Sequence, residues 1–282
     1  MTGKSGLRLL LADVDGTLVT DDKQLTAAAV AAVEDLRRAG IAFAITSSRP
    51  PSGLRMLVAP LDLTLPLAGL NGGLLVNPDQ SVIACHVIGA AAAADAVTLL
   101  LDQGLDIWIY TETAWLVRDP SAPHVAREAW ILKFPAQVVA AFTAEHLARA
   151  VKIVGVSDDL ELVAACEARA QTVLGASASA TRSNPYFLDV TNPQANKGAV
   201  VAELSARLGI ATDQIATIGD MQNDVLMFRQ SGLSIAMGNA SDDVKAQANE
   251  VTDTNEWDGF AKAVRKFVLP RVSVTDAQED RQ

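Results

Sequence analysis

Cysteine, histidine and aromatic residues are all scarce in this 282-residue chain, and each scarcity removes a class of function. The two cysteines, Cys85 and Cys166, stand far apart and fit neither a disulfide framework nor a thiolate metal site. They read as reduced thiols of a cytoplasmic protein. The three histidines, His86, His124 and His146, have no metal-ligand spacing and read as surface or structural residues. Basic residues number 23 against 33 acidic ones, and the net charge of −10 argues against nucleic acid or an anionic membrane as the main partner. No run approaches the roughly 20 apolar residues that cross a bilayer. Residues 7–12 are too short an apolar run for a secretion signal. Gly3-Lys4-Ser5 looks like the end of a phosphate-binding loop but has no glycine five positions before the lysine, so it reads as a loose terminus. The polar tail after Pro270 reads the same way.

Apolar material is abundant. Half of the residues are hydrophobic, enough for one large domain or two modest ones. From residue 7 to 70 the pattern alternates strands, at 7–12, 41–45 and 65–70, with helices at 27–39 and 52–58. Thr26 caps the first helix and Gly40 ends it. Near-continuous apolar strands joined by helices imply a parallel, doubly wound sheet. After Asn77-Pro78-Asp79 the texture changes. An alanine-rich helix at 90–103 precedes an alternating strand pair at 105–110 and 114–118, with a strand at 151–156, a helix at 159–174 and a strand at 177–182. Period-two alternation predicts a sheet with one solvated face, hence an inserted α+β module. From residue 186 the chain is expected to re-enter the first domain, with a helix at 198–208, a strand at 215–218, a helix at 225–230 and a strand at 233–236.

Four short segments carry chemistry. Asp13-Val14-Asp15-Gly16-Thr17-Leu18 places two carboxylates at i and i+2, on one side of a strand end, before a glycine turn. Clustered acids need a counterion, and Mg²⁺ is the usual one where oxygen ligands meet phosphate. Thr46-Ser47-Ser48-Arg49 follows the second strand, at the carboxyl edge where ligands bind in open α/β sheets. Asn196-Lys197-Gly198 opens a helix, adding a point charge to an N-terminus already suited to phosphate. Gly219-Asp220-Met221-Gln222-Asn223-Asp224 ends another strand in a glycine turn with acids that can complete an oxygen cage. Each segment alone has a bland reading as a cap, a turn or a surface lysine. All four holding their bland readings together is far less plausible.

The order Asp-x-Asp, Ser/Thr, Lys-Gly, Gly-Asp-x-x-Asn-Asp resembles the haloacid dehalogenase (HAD) superfamily of phosphohydrolases. Residues 234–240, Ser-Ile-Ala-Met-Gly-Asn-Ala, followed by Val244-Lys245, Ala248, Val251-Thr252 and Asp258-Gly259, resemble the C-terminal signature of its Cof-like, type IIB-capped phosphatases. Leu70-Asn71-Gly72-Gly73 resembles that family's turn before the cap. The resemblance implies an α/β fold with a Rossmann-like core at 1–79 and 187–282, and an inserted α+β cap at 80–186. It also implies roles. Asp13 is the expected nucleophile and Asp15 the expected proton donor, then base. Mg²⁺ is expected on the Asp13 carboxylate, the Asp15 backbone carbonyl and Asp220, with Asp224 and Asn223 in support. Ser47 and Lys197 are expected to hold phosphoryl oxygens together with Asn223, and Arg49 and Asn71 to face the substrate or the cap.

The family usually has glycine where Ser48 stands, so Thr46 stays open as the alternative hydroxyl. Trp108, Tyr110 and Trp115 lie on the expected cap hairpin, where cross-strand packing is their simpler role and contact with a leaving group the other. Arg118 and Arg127 read as solvated. The expected activity is Mg²⁺-dependent hydrolysis of a small phosphorylated metabolite, such as a sugar phosphate, by a cytoplasmic monomer or homodimer with no nucleic-acid or membrane partner. A phosphomutase using the same residues and a non-catalytic phosphometabolite-binding module are the rivals.

Overall fold

The structure is a computed structural model that describes residues 6–272. Of the loose ends expected at the two termini, all but the stretch from Pro270 to Val272 lies outside the described residues. The chain forms two compact units. One is built from residues up to Ile45, residues 201–220 and those from Asp224 onward; the other from residues 46–200 with 221–223. The first five strands are β1 (Leu9–Asp13), β2 (Ala42–Thr46), β3 (Leu67–Gly69), β4 (Leu74–Val76) and β5 (Val82–Cys85). Six follow in the middle of the chain: β6 (Asp106–Tyr110), β7 (Trp115–Val117), β8 (Gln137–Val138), β9 (Lys152–Val156), β10 (Ser179–Asn184) and β11 (Phe187–Thr191). The last are β12 (Ile215–Gly219), β13 (Leu233–Ala236) and β14 (Glu250–Val251).

In the first unit the strand order is β14-β13-β12-β1-β2. β1 runs parallel to β12, β12 to β13, and β13 to β14. β1 and β12 are buried along their whole length, as apolar strands covered on both faces must be. β1 starts two residues later than the expected range and ends one residue later, taking Asp13 into the strand. The helix Ala27–Arg38 matches the expected span. The Thr26 side chain accepts from the Ala29 N–H, Gly40 follows the helix at φ +73°, and Ala29, Ala32, Val33 and Leu36 form its buried stripe.

In the second unit, Thr46 at the end of β2 pairs in parallel with Ala68 of β3. β3 pairs antiparallel with β4, and β4 with β5. β5 was expected inside the cap, yet Leu74 and Cys85 stand opposite each other in this ladder. The helix expected at 52–58 is a 3₁₀ turn, Pro51–Leu54, leading into the helix Arg55–Leu61. Pro51, with no N–H to donate, sits at the turn's start, where that group has no partner in any case.

The six-stranded sheet of this unit has the order β10-β11-β9-β6-β7-β8 among the described residues. Residues 187–191, expected in the returning core segment, lie inside this sheet as β11. There β11 is antiparallel to both β10 and β9. The expected solvated face is also absent: β9 and β11 are buried throughout. One face packs Ile107, Ile109, Ile153, Leu188 and Val190 against Ala93, Ala96, Leu100, Val163 and Cys166 of the helices Ala90–Asp102 and Leu160–Leu174. Alanines let the first of these helices lie close. The opposite face carries Trp108, Tyr110, Trp115 and Phe187. Trp108 meets Trp115 edge-on at 5.2 Å and Phe187 at 4.9 Å, and Tyr110 stacks on Trp115 at 5.9 Å. The apparent period of two came from aliphatic residues alternating with large aromatic ones, not from burial alternating with exposure.

Candidate active site

In the first unit, acids gather at the carboxyl ends of two neighbouring strands. Asp13 closes β1, and β12 ends in Gly219 just before Asp220. The Asp220 N–H donates to Asp224 Oδ2 at 2.9 Å, which folds the 220–224 turn back on itself. Carboxylate oxygens of Asp13, Asp220 and Asp224 lie within 4.8 Å of one another, and all three residues are buried. Two glycines make this closeness feasible. Gly16 has φ +76°, and a Cβ there would stand 2.3 Å from Asp220 Oδ2. A Cβ on Gly219 would stand 2.4 Å from the Asp224 carboxyl carbon. Thr17 Oγ1 donates to Asp220 Oδ1 at 3.2 Å, and Asn239 Nδ2 to Asp220 Oδ2 at 3.3 Å and to the Gly16 carbonyl at 2.9 Å. Three buried carboxylates at such spacing repel strongly in a low dielectric, and an all-oxygen donor set suits a hard divalent cation. The residues therefore fit a hard divalent metal. The Asp15 carboxylate takes no part in this cluster; it pairs with Lys23 Nζ at 2.7 Å.

The second unit holds the expected phosphate-binding groups. Ser47 is almost fully buried and fixed on every side: its N–H donates to the Ala68 carbonyl at 2.9 Å, and its own carbonyl accepts from Asn71 N–H at 2.9 Å. Its Oγ accepts the Arg49 N–H at 3.1 Å. Thr46 Oγ1, by contrast, is buried with no hydrogen-bond partner. Asn71 sits at φ +59°, in the left-handed region that asparagine tolerates. Its amide links two distant segments, donating to Asp189 Oδ2 at 2.7 Å and accepting from Asn223 Nδ2 at 3.1 Å. Lys197 is the first residue of the helix Lys197–Leu208 and is buried, while Asn196 caps that helix through Ala199 N–H at 2.9 Å. The structure thus groups Asp13, Asp220 and Asp224 in one unit, and Ser47, Arg49, Asn71 and Asn223 in the other.

Three charged residues in these surroundings have no counterpart in the sequence reading: Lys23, Lys152 and Asp189. Lys152 and Asp189 are buried at 5% and 2% exposure and pair at 3.1 Å. The available signal was a lone acid between Leu188 and Val190 of an apolar run, and a lysine opening another. Two of the three histidines have structural partners. His124 stacks on Tyr186 at 4.2 Å and bonds Asp158, and His146 completes a capping box with Thr143. Burial raises the thiols of Cys85 and Cys166 above their ordinary value, which disfavours the reactive thiolate at both. Burial and the neighbouring Glu128 carboxylate hold the Tyr110 phenol well above its usual value. Among the described residues no helix is long and apolar enough to cross a membrane.

The profile of the haloacid dehalogenase-like hydrolase family matches residues 10–264. The chain belongs to that family. A 5-amino-6-(5-phospho-D-ribitylamino)uracil phosphatase of Bacillus subtilis is 27% identical over 268 residues, covering 93% of this chain and 96% of its own. A pyridoxal phosphate phosphatase of Escherichia coli is 24% identical over 271 residues, covering 93% and 99%. Among solved structures, a HAD-superfamily phosphatase of Bacteroides thetaiotaomicron has a TM-score of 0.79 at 26% identity, covering 95% of this chain and 98% of its own. A HAD subclass IIB sugar phosphatase has a TM-score of 0.80 at 22% identity, covering 93% and 99%, a likeness of fold. The fold is thus an α/β HAD phosphatase fold with a subclass IIB cap.

Proposed function

We propose that this HAD-type enzyme is a Mg²⁺-dependent phosphohydrolase that cleaves phosphate monoesters of small metabolites, sugar phosphates foremost, in the cytoplasm. The observation that carries this reading is the buried trio Asp13, Asp220 and Asp224 at the ends of β1 and β12. Relatives that act on a phosphoribityl compound and on pyridoxal phosphate support the substrate class.

Asp13 attacks phosphorus through a carboxylate oxygen, and the phosphorus–oxygen bond to the leaving group breaks. Asp15 gives its proton to the departing oxygen. Asp15, now a carboxylate, takes a proton from a water whose oxygen attacks the phosphoaspartate, releasing inorganic phosphate and regenerating Asp13. Proton transfer of this kind is worth roughly 10²–10⁴ in rate. Asp13, Asp220 and Asp224 would hold the metal, which would supply positive charge where carboxylates would otherwise repel an anionic phosphate. Ser47 and Lys197 donate to the phosphoryl oxygens, Arg49 and Asn71 face the leaving group, and Asn223 holds Asn71. The α+β insertion is the part expected to select the leaving group.

Phosphate release from a panel of sugar phosphates, nucleotides and cofactor phosphates, with Mg²⁺ and with EDTA, tests the reading. Metal-dependent release from at least one of them is expected. Turnover that appears only with a bisphosphate activator, without free phosphate, would replace hydrolysis with a mutase reaction.

A further inference from the structure

Lys152 and Asp189 sit on neighbouring strands, β9 and β11, on the aromatic face of the six-stranded sheet. A buried ion pair is weak evidence of stabilisation, because desolvating both charges offsets most of their attraction. Its placement needs another reason, and its hydrogen bonds supply one.

The Lys152 ammonium lies 5.2 Å over the Tyr110 ring, donates to Asp189 Oδ2 at 3.1 Å and reaches the Ser48 carbonyl at 2.8 Å. That carbonyl belongs to the same peptide group as the Arg49 N–H, which donates to Ser47 Oγ at 3.1 Å. A cation on the carbonyl end of a peptide fixes its plane and polarises its N–H, strengthening the next bond in the chain. With that N–H on a lone pair of Ser47 Oγ, the serine hydroxyl has its own proton left to donate outward. The second arm of the pair converges on the same residue. Asp189 Oδ2 holds the Asn71 side chain, and the Asn71 N–H holds the Ser47 carbonyl.

We propose that Lys152, held by Asp189, is a positioning residue for phosphoryl binding: through the Ser48–Arg49 peptide it orients the Ser47 hydroxyl as a donor to the transferring phosphoryl group. The inference rests on the reading of Ser47 as a phosphoryl ligand.

The test is binding of inorganic phosphate in the presence of Mg²⁺, measured by calorimetry, alongside KM and kcat for para-nitrophenyl phosphate. Lys152→Met alone leaves a buried carboxylate unpaired and risks the fold. The variant to use is therefore Lys152→Met/Asp189→Asn, with Asp189→Asn alone as a milder second. Ser47→Ala is expected to weaken phosphate about tenfold, the scale of one charge-assisted hydrogen bond. The double variant is expected to weaken phosphate and raise KM by a similar factor, with kcat changed less. In a Ser47→Ala background it is expected to add nothing, because Lys152 acts through Ser47. Asp189→Asn is expected to move phosphate affinity in the same direction by a smaller factor.

An unchanged phosphate affinity in a folded double variant, with Ser47→Ala still impaired, would overturn the positioning role. Effects that multiply with Ser47→Ala would overturn it too, since they mark a structural role independent of Ser47. Ser47→Ala without effect would instead remove the underlying reading of Ser47, and the inference with it.

Discussion

The two sheets place their chemistry differently. In the parallel sheet of the first unit, polar groups stand at strand ends: Asp13 closes β1, and Asp220 follows Gly219 at the end of β12. Inside β1, β12 and β13 no residue is charged, Thr217 and Ser234 being the buried polar ones, and each acid lies at or just after a strand end, next to or a few residues from a glycine. In the mostly antiparallel six-stranded sheet of the second unit, the charged pair lies on one face, Lys152 at the start of β9 and Asp189 in the middle of β11, among Trp108, Tyr110 and Phe187. Its partners are far apart in sequence, Lys152 with Asp189 and Asp189 with Asn71. Strand-end chemistry needs a turn, and a turn leaves a local signature. Chemistry on a sheet face needs only alternation, and its identity comes from register.

The largest effect that sharpens this contrast is at a strand end. Asp13→Asn keeps the shape but removes the attacking charge, so turnover of the best substrate is expected to fall roughly 10⁴-fold or more, with circular dichroism unchanged. A rate within tenfold of the parent would sink the nucleophile assignment. Next comes the turn. Gly16→Ala places a methyl group where Asp220 Oδ2 lies 2.3 Å away, at φ +76°. The strain costs about 1–3 kcal/mol, and the displaced carboxylate should raise the Mg²⁺ concentration needed for half-maximal activity. An unaltered metal requirement would mean that Asp220 is not held where the turn puts it.

The two faces of the antiparallel sheet can be separated within a single strand. Leu188, fully buried against the helices, precedes Asp189. Leu188→Ala is expected to cost about 2–5 kcal/mol of stability through lost contact and a residual cavity. The KM of the remaining folded enzyme should stay within about twofold, unlike that of the double variant on the other face. Thermal melting and steady-state kinetics on the same samples give both numbers. A large KM change in Leu188→Ala would show that the faces are not independent.

This difference in placement also accounts for what could be read from the chain. The helix over 27–38 was legible because Thr26, Gly40 and the buried spacing of Ala29, Val33 and Leu36 all point the same way. The acids at 13, 220 and 224 were legible because each lies within five residues of a glycine, Gly16 or Gly219, at the end of an apolar run. The assignment of β11 failed because Phe-Leu-Asp-Val-Thr resembles a core strand in composition, and only its pairing with β9 and β10 decides its sheet. β5 failed for the same reason, its partner β4 being chosen by a hairpin and not by its own residues. The aromatic face was read as alternation with solvent because hydropathy treats a tryptophan or tyrosine beside an isoleucine as the less apolar member. Lys152 and Asp189 left only a weak local trace, a lone charge in an apolar run, since their pairing is diagonal across the ladder and set by register: Asp189 faces Val154, and Lys152 faces Thr191.

Lys23 is the case between these extremes, and it carries the smallest expected effect. It is near its partner in sequence, ten residues of chain at most, yet no turn motif announces the 2.7 Å pair with Asp15. Both side chains keep some solvent contact, 17% and 25%, so the pair contributes no more than about 1 kcal/mol to stability. Its consequence should lie in proton transfer. A nearby ammonium favours the charged form of a carboxyl group, so Lys23→Met lets Asp15 hold its proton to higher pH. The basic limb of the kcat profile, above which Asp15 no longer holds the proton it must give to the leaving oxygen, is then expected to move upward in pH. The melting temperature should hardly move. A profile identical to the parent would leave Lys23 a surface neighbour of Asp15, and the carboxylate's proton balance would have to come from Asp15's other surroundings.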